Sequence, residues 1–237
     1  MKKNICKVLK LFCLGTVLVS LYQCTDNKLN DLLEIITDKQ DDSIFWELKD
    51  CASHDPEANM ILNLKDEIDE SQLLLIKLVE FQSNSDDLSN TMNFANYIVK
   101  FYAFTPKFSS TSKSFKAILE YERNFINSDK ENDSEYLGFK RMALNNDGRL
   151  EVAQQPVLEQ LTAYQESQAV LEVVLEDVLG YVRNKDLKSA VERLRGEDVQ
   201  KFYIESAKLL NAYYDFIVSR AESIVDSYQL YKTMPQS

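Results

Sequence analysis

The chain is predicted to be all-α, an elongated and mostly antiparallel helical bundle with long C-terminal helices. Three observations carry that expectation. Five glycines in 237 residues fall far below the ~7% usual in globular chains, too few for a sandwich of many tight turns. No stretch sustains the alternation of a half-buried strand. Two long stretches carry apolar residues at alternating steps of four and three, the period of a helical seam.

The elements follow in order. Residues 25–42 hold a short helical pattern (Leu29, Leu32, Leu33, Ile36) that ends in the charged run Asp38-Lys39-Gln40-Asp41-Asp42. We read residues 24–42 as a tether and 43–237 as one bundle domain. Ser43 to Cys51 makes a short helix with Ile44, Phe45 and Leu48 on one side. Asp55-Pro56-Glu57 is a start signal, with Asp55 as cap and Pro56 at the first helical position. The helix it opens runs to about Phe81 and buries Ile61, Leu64, Ile68, Leu75 and Leu78, with a polar stop at Gln82-Ser83-Asn84-Ser85.

Asp86 or Asp87 caps the next helix, expected to end near Phe104 because Pro106 biases Thr105 away from helical geometry. Ser109 to Ser112 then reads as a loop and cap, and Phe115, Ile118, Leu119, Glu122 and Phe125 continue a helix to about Asn127. A polar linker spans Ser128 to Asp133. A short helix spans Tyr136 to Leu144, and Asn145-Asn146-Asp147-Gly148 is a turn.

The two seams follow. The first is Val157, Leu161, Tyr164, Gln168, Leu171, Leu175, Val178 and Val182. The second is Tyr203, Ala207, Leu210, Tyr214, Ile217, Ala221, Ile224, Tyr228 and Tyr231. Lys185 to Arg195 connects them as a short helix stopped by Gly196. Exposing stripes of this length is unfavourable at ~25 cal/mol per Å², so the two helices should pack on one another and on the helix that begins at Pro56. A homodimer through the seams is a further expectation.

Residues 1–23 read as a signal peptide. Lys2, Lys3, Lys7 and Lys10 form a basic start, and an apolar segment follows from Leu11 to Tyr22. That segment is shorter than the ~20 residues needed to span a bilayer. Leu21-Tyr22-Gln23-Cys24 resembles a bacterial lipobox, although Gln23 stands where a small residue is usual. With the helical character behind it, this segment resembles the spirochaete-type (Lyme-disease-group) helical outer-surface lipoproteins, whose lipoboxes are loose. The resemblance implies lipid attachment at Cys24, placement at the bacterial outer membrane or cell surface, and capture of a host-derived or other partner protein. The alternative is an ordinary secretory signal, a secreted chain and an incidental Cys24; in a eukaryotic secreted protein, Asn132-Asp133-Ser134 would be the usable glycosylation sequon.

Charge and composition narrow the function classes. The net charge is −11, and losing the four lysines of the signal makes it four units more negative. Such a surface repels nucleic-acid phosphates. Cys6 and Cys13 leave with the signal and Cys24 carries lipid, so Cys51 remains alone, partly buried and inert. With one His and no glycine-rich phosphate loop, we expect no enzyme, no cofactor and no metal site. His54 reads as a solvated loop residue. The segment around Asn145-Asn146-Asp147-Gly148 has Ala143 and Gln154 where a calcium loop needs carboxylates. Asp66, Glu67, Asp69 and Glu70 read as a solvated face, although a hydrolase with scattered carboxylates would use residues of the same kind. Arg195-Gly196-Glu197 carries Glu where an integrin-binding tripeptide has Asp.

The most aromatic segment runs from Tyr97 to Phe108, and too many rings crowd one helix for all to face a single core. Tyr97, Phe101, Tyr102, Phe104 and Phe108 are therefore the candidate anchors for a protein partner. The expected function is an exported, lipid-anchored surface protein that binds a partner. The alternative is a periplasm-facing lipoprotein acting as a structural or assembly adaptor.

Overall fold

Pro56 begins a long helix because Asp55 caps it: Asp55 Oδ1 accepts the Glu57 backbone N–H at 3.0 Å, as the orphan donors of a helix start require. The computed structural model describes residues 42–83, 91–127, 134–145 and 149–234. The signal, Cys24, most of the tether, the Asn132 sequon and Asn146-Asp147-Gly148 lie outside the described residues.

Among the described residues the chain is all-α, with seven helices and no strand. They are α1 (Ser43–Cys51), α2 (Pro56–Ser83), α3 (Thr91–Asn127), α4 (Glu135–Asn145), α5 (Arg149–Arg183), α6 (Leu187–Leu194) and α7 (Glu197–Thr233). The α5–α6 junction turns at Lys185, whose φ of 61° is a left-handed geometry uncommon for a side-chain-bearing residue. Asp186 then caps α6 by accepting the Ser189 N–H at 3.1 Å.

Helix α7 is the centre of the bundle. Its seam from Tyr203 to Tyr228 is buried, and so are Val199, Phe202, Leu209, Tyr213, Phe216 and Val225 on its other faces. A helix buried on so wide an arc needs neighbours on several sides. Helix α5 packs along it, α2 and α1 cover further faces, and α4 closes over its C-terminal end. The two seams thus pack against one another inside one chain. On α5, Val157, Tyr164, Leu171 and Val178 are buried, while Val182 is 43% exposed and leaves the seam.

Helix α3 packs antiparallel on α2, with Ser71 Oγ and Thr111 Oγ1 3.0 Å apart and Lys107 paired with Glu70. Rings fill the space between α3 and α7. Phe101 and Phe104 meet Phe202, and Phe115 meets Tyr213 and Phe216. The Tyr97 and Tyr203 hydroxyls bond to each other.

Pro106 does not end a helix. α3 runs through it without a loop at Ser109–Ser112, against the sequence expectation. Proline in a helix interior costs ~3 kcal/mol because it removes one N–H and crowds the carbonyl four residues back. Here that carbonyl belongs to Tyr102. Tyr102 and Pro106 are both exposed, so the lost bond falls on the solvent side, where water replaces it. On the opposite face Phe101, Phe104 and Phe108 are 2%, 0% and 0% exposed, and burying each ring contributes about 1.5–3 kcal/mol. Together they outweigh the proline. Thr105 and Ser112 also donate to the Phe101 and Phe108 carbonyls at 3.1 and 3.2 Å.

Candidate functional site

Two places concentrate polar chemistry, and they have opposite characters. The first is a buried ion cluster where the start of α2, the end of α3, α4 and α7 converge. Lys140 Nζ on α4 lies 2.9 and 2.7 Å from the two Asp55 carboxylate oxygens and 2.7 Å from Glu57 Oε2. Arg220 on α7 donates to Glu57 Oε1 from Nε at 3.0 Å and from Nη2 at 2.7 Å. Arg220 Nε also meets Glu122 Oε1 on α3. Its one N–H is aimed at Glu57, and neither Glu122 carboxyl oxygen has an aligned hydrogen bond among the described residues. Tyr136 donates to Asp55 Oδ2 at 3.0 Å.

Burial pushes the Glu57 carboxyl up, but Lys140 and Arg220 beside it pull harder and bring it down to about 2. Burial also pushes Glu122 up, to about 8, with Arg220 opposing and Glu57 reinforcing the rise. At neutral pH Glu122 is therefore largely protonated. Two carboxylates, Asp55 and Glu57, then face two cations, Lys140 and Arg220. Nearby, Arg141 donates from Nε to the Phe125 carbonyl at 2.8 Å, with its guanidinium 4.6 Å from the Phe125 ring centre. Every charged member is at most 4% exposed, so no substrate reaches the cluster. It joins four helices.

The second place is an open cleft of about 520 Å³ between α3 and α5. That volume lies within the ~300–1,000 Å³ range of small-ligand sites. Tyr102, Thr105, Pro106, Ser109, Ser112 and Lys116 form one wall, and Leu161, Tyr164, Gln165 and Gln168 the other. Phe108 stacks on Tyr164 beneath it, with centroids 4.5 Å apart. At the floor, Tyr213 donates to Ser112 Oγ at 3.0 Å and Ser112 donates to the Phe108 carbonyl. Tyr164 is 6% exposed, and burial pushes its phenol above the usual range. Its hydroxyl has no hydrogen-bond partner among the described residues. The walls carry hydroxyls, amides and ring faces, which suit binding.

Of the five aromatic anchor candidates, Tyr97, Phe101, Phe104 and Phe108 lie in the core. This corrects their reading as contact residues: one face of α3 can bury rings at four-and-three spacing because α2, α5 and α7 surround it. Tyr102 is 60% exposed and lines the cleft. His54 is exposed and stacks on Tyr228 with centroids 5.3 Å apart. Cys51 is buried, and burial with the nearby Asp55 raises its thiol to about 11. Asp66, Asp69 and Glu70 are exposed, while Glu67 is half-buried. Among the described residues no group of three or more His, Cys, Asp or Glu side chains is arranged to hold a metal ion, and no helix is long and apolar enough to cross a membrane.

Sequence reasoning missed the ion cluster, although two signals were readable. Glu122 occupies a position on the apolar stripe of Phe115, Ile118 and Phe125, and Arg220 stands between Ile217 and Ala221 on the α7 seam. A charge on a buried stripe calls for a partner. It also missed that Thr91 to Leu119 holds four lysines and no acid, within a chain of 38 acidic residues.

No protein family, curated protein or solved structure matches the chain.

Proposed function

We propose that the chain is an exported, lipid-anchored helical bundle that binds a partner protein at the surface of a bacterial envelope. The observation that supports binding is the α3–α5 cleft, open to solvent and walled by Tyr102, hydroxyls and amides. Export and anchoring are supported by the basic start, the short apolar segment and Cys24 after Leu21. The buried ion cluster has a structural task in this reading and holds the bundle around α7.

Intact-mass analysis of the mature protein tests the anchor. A mass that begins at Cys24 and carries acyl chains is expected; an unmodified thiol there overturns it. Protease treatment of intact cells tests display: loss of the protein is expected, and survival in unpermeabilised cells counts against the surface.

A second reading, a periplasm-facing adaptor, draws on the outer side of α5. Leu158, Val170, Val173 and Leu179 are 43–56% exposed there and could seat another helix. A stable oligomer in solution scattering, together with survival in the protease test, would favour it.

A further inference from the structure

We propose that the α3–α5 cleft recognises an acidic peptide segment, in which a carboxylate lies beside an apolar or aromatic side chain. This deepens the binding reading above and rests on it.

Three observations point to that chemistry. The first is charge. Across Thr91 to Leu119, α3 has Lys100, Lys107, Lys113 and Lys116 and no acid, whereas the whole chain has a net charge of −11. Lys107 is paired with Glu70. Lys113 and Lys116 are exposed, and neither makes an ion pair among the described residues. Glu120, one turn beyond Lys116, makes none with it. An exposed cation at the rim of a cleft without carboxylates attracts an anionic group, and the acid-free wall spares that group the repulsion it meets elsewhere on this surface.

The second observation is the floor. The Tyr213 and Ser112 protons are already spent on Ser112 and the Phe108 carbonyl. The Tyr164 hydroxyl proton is not, and Tyr164 lines the cleft. Its hydroxyl is open to water rather than sealed in the core, so a ligand acceptor can take the place of that water. A peptide carbonyl or a carboxylate is such an acceptor.

The third is the walls. Gln165 and Gln168 each offer a side-chain donor and acceptor, the complement of a peptide unit. Tyr102, Pro106 and Leu161 present apolar faces for a neighbouring side chain.

The test selects from a library of short random peptides on the protein as purified from the cells that process it, then measures the selected peptides by fluorescence anisotropy. Expected are sequences enriched in Asp or Glu next to an aromatic or aliphatic residue, with affinity that falls as salt rises. Lys116→Glu should weaken them by about fivefold to tenfold. Ser109→Trp, which fills the cleft from an exposed position, should weaken them by more than about tenfold, with unchanged helical circular dichroism in both variants. Selection of basic or uncharged peptides, no selection at all, or affinities unmoved by both substitutions overturns the proposal. So does preferential binding to vesicles rich in anionic lipid. An unacylated Cys24 would sink the anchored reading and leave this site standing, whereas failed selection on an acylated protein sinks this proposal alone.

Discussion

Replacing Arg220 by Met removes a cation that bridges α7 to both α2 and α3 while nearly preserving the volume of the side chain. In the native protein Arg220 is 4% exposed and donates twice to Glu57, at 3.0 and 2.7 Å. Without it, Asp55 and Glu57 share Lys140 alone, and Glu57 is a charge at 0% exposure with half of its compensation gone. Stranding one partner of a buried pair costs about 3–5 kcal/mol. For a chain of this size that lowers Tm by roughly 6–20 °C, at ~2–4 °C per kcal/mol. Urea unfolding followed by helical circular dichroism at pH 7 measures it. Companion variants, Glu57→Gln and the Arg220→Met/Glu57→Gln double, separate a stranded charge from lost packing: the double should be less destabilised than the sum of the singles. An Arg220→Met variant within about 1 kcal/mol of the parent would refute the reasoning, because an exposed or well-hydrated arginine behaves that way.

The cluster also makes stability depend on pH. Glu122 binds its proton more tightly in the folded chain, at about 8 against an ordinary 4.5. Its contribution is present in full below about 4.5 and is lost as pH rises through about 8. Glu57, held down to about 2, contributes above 4.5 and loses that contribution as pH falls through about 2. Stability from the cluster should therefore decline between pH 5 and pH 8, and Glu122→Gln should flatten that decline in unfolding curves taken across the range. Pro106→Ala should stabilise the chain by about 1–3 kcal/mol by returning the N–H to α3, read as a higher Tm; a lower Tm would mean that Pro106 packing matters more than the missing bond. Cys51 should resist thiol reagents in the native state, since its thiol lies at about 11, and should react at an ordinary rate in urea; rapid native labelling would show that the α1–α7 contact opens.

How far the fold could be read in advance varied by element. The α2 start was legible because Asp55 and Pro56 act within one turn, and the α7 seam because nine positions of one helix repeat a local rule. The passage of α3 through Pro106 was not. Local backbone preference argues for a stop there, and the rings that oppose it gain their energy from α7 and α5, distant in sequence. The same holds for the binding candidates. Periodicity identifies Tyr97, Phe101, Phe104 and Phe108 as a stripe, but only the surrounding helices show that the stripe faces inward and that Tyr102 faces out.

The amino-acid sequence alone determined the helical class, the period of the two seams and the acid-free character of Thr91 to Leu119, because each is a property of neighbouring residues. Tertiary structure decided which charges are buried together and where a cleft stays open. Asp55 and Lys140, or Glu57 and Arg220, meet across long separations in the chain. Their energies depend on exclusion of water, which arises only when four helices close around them. The cleft is the counterpart of that closure, the space left where large aromatic side chains hold α3 and α5 apart.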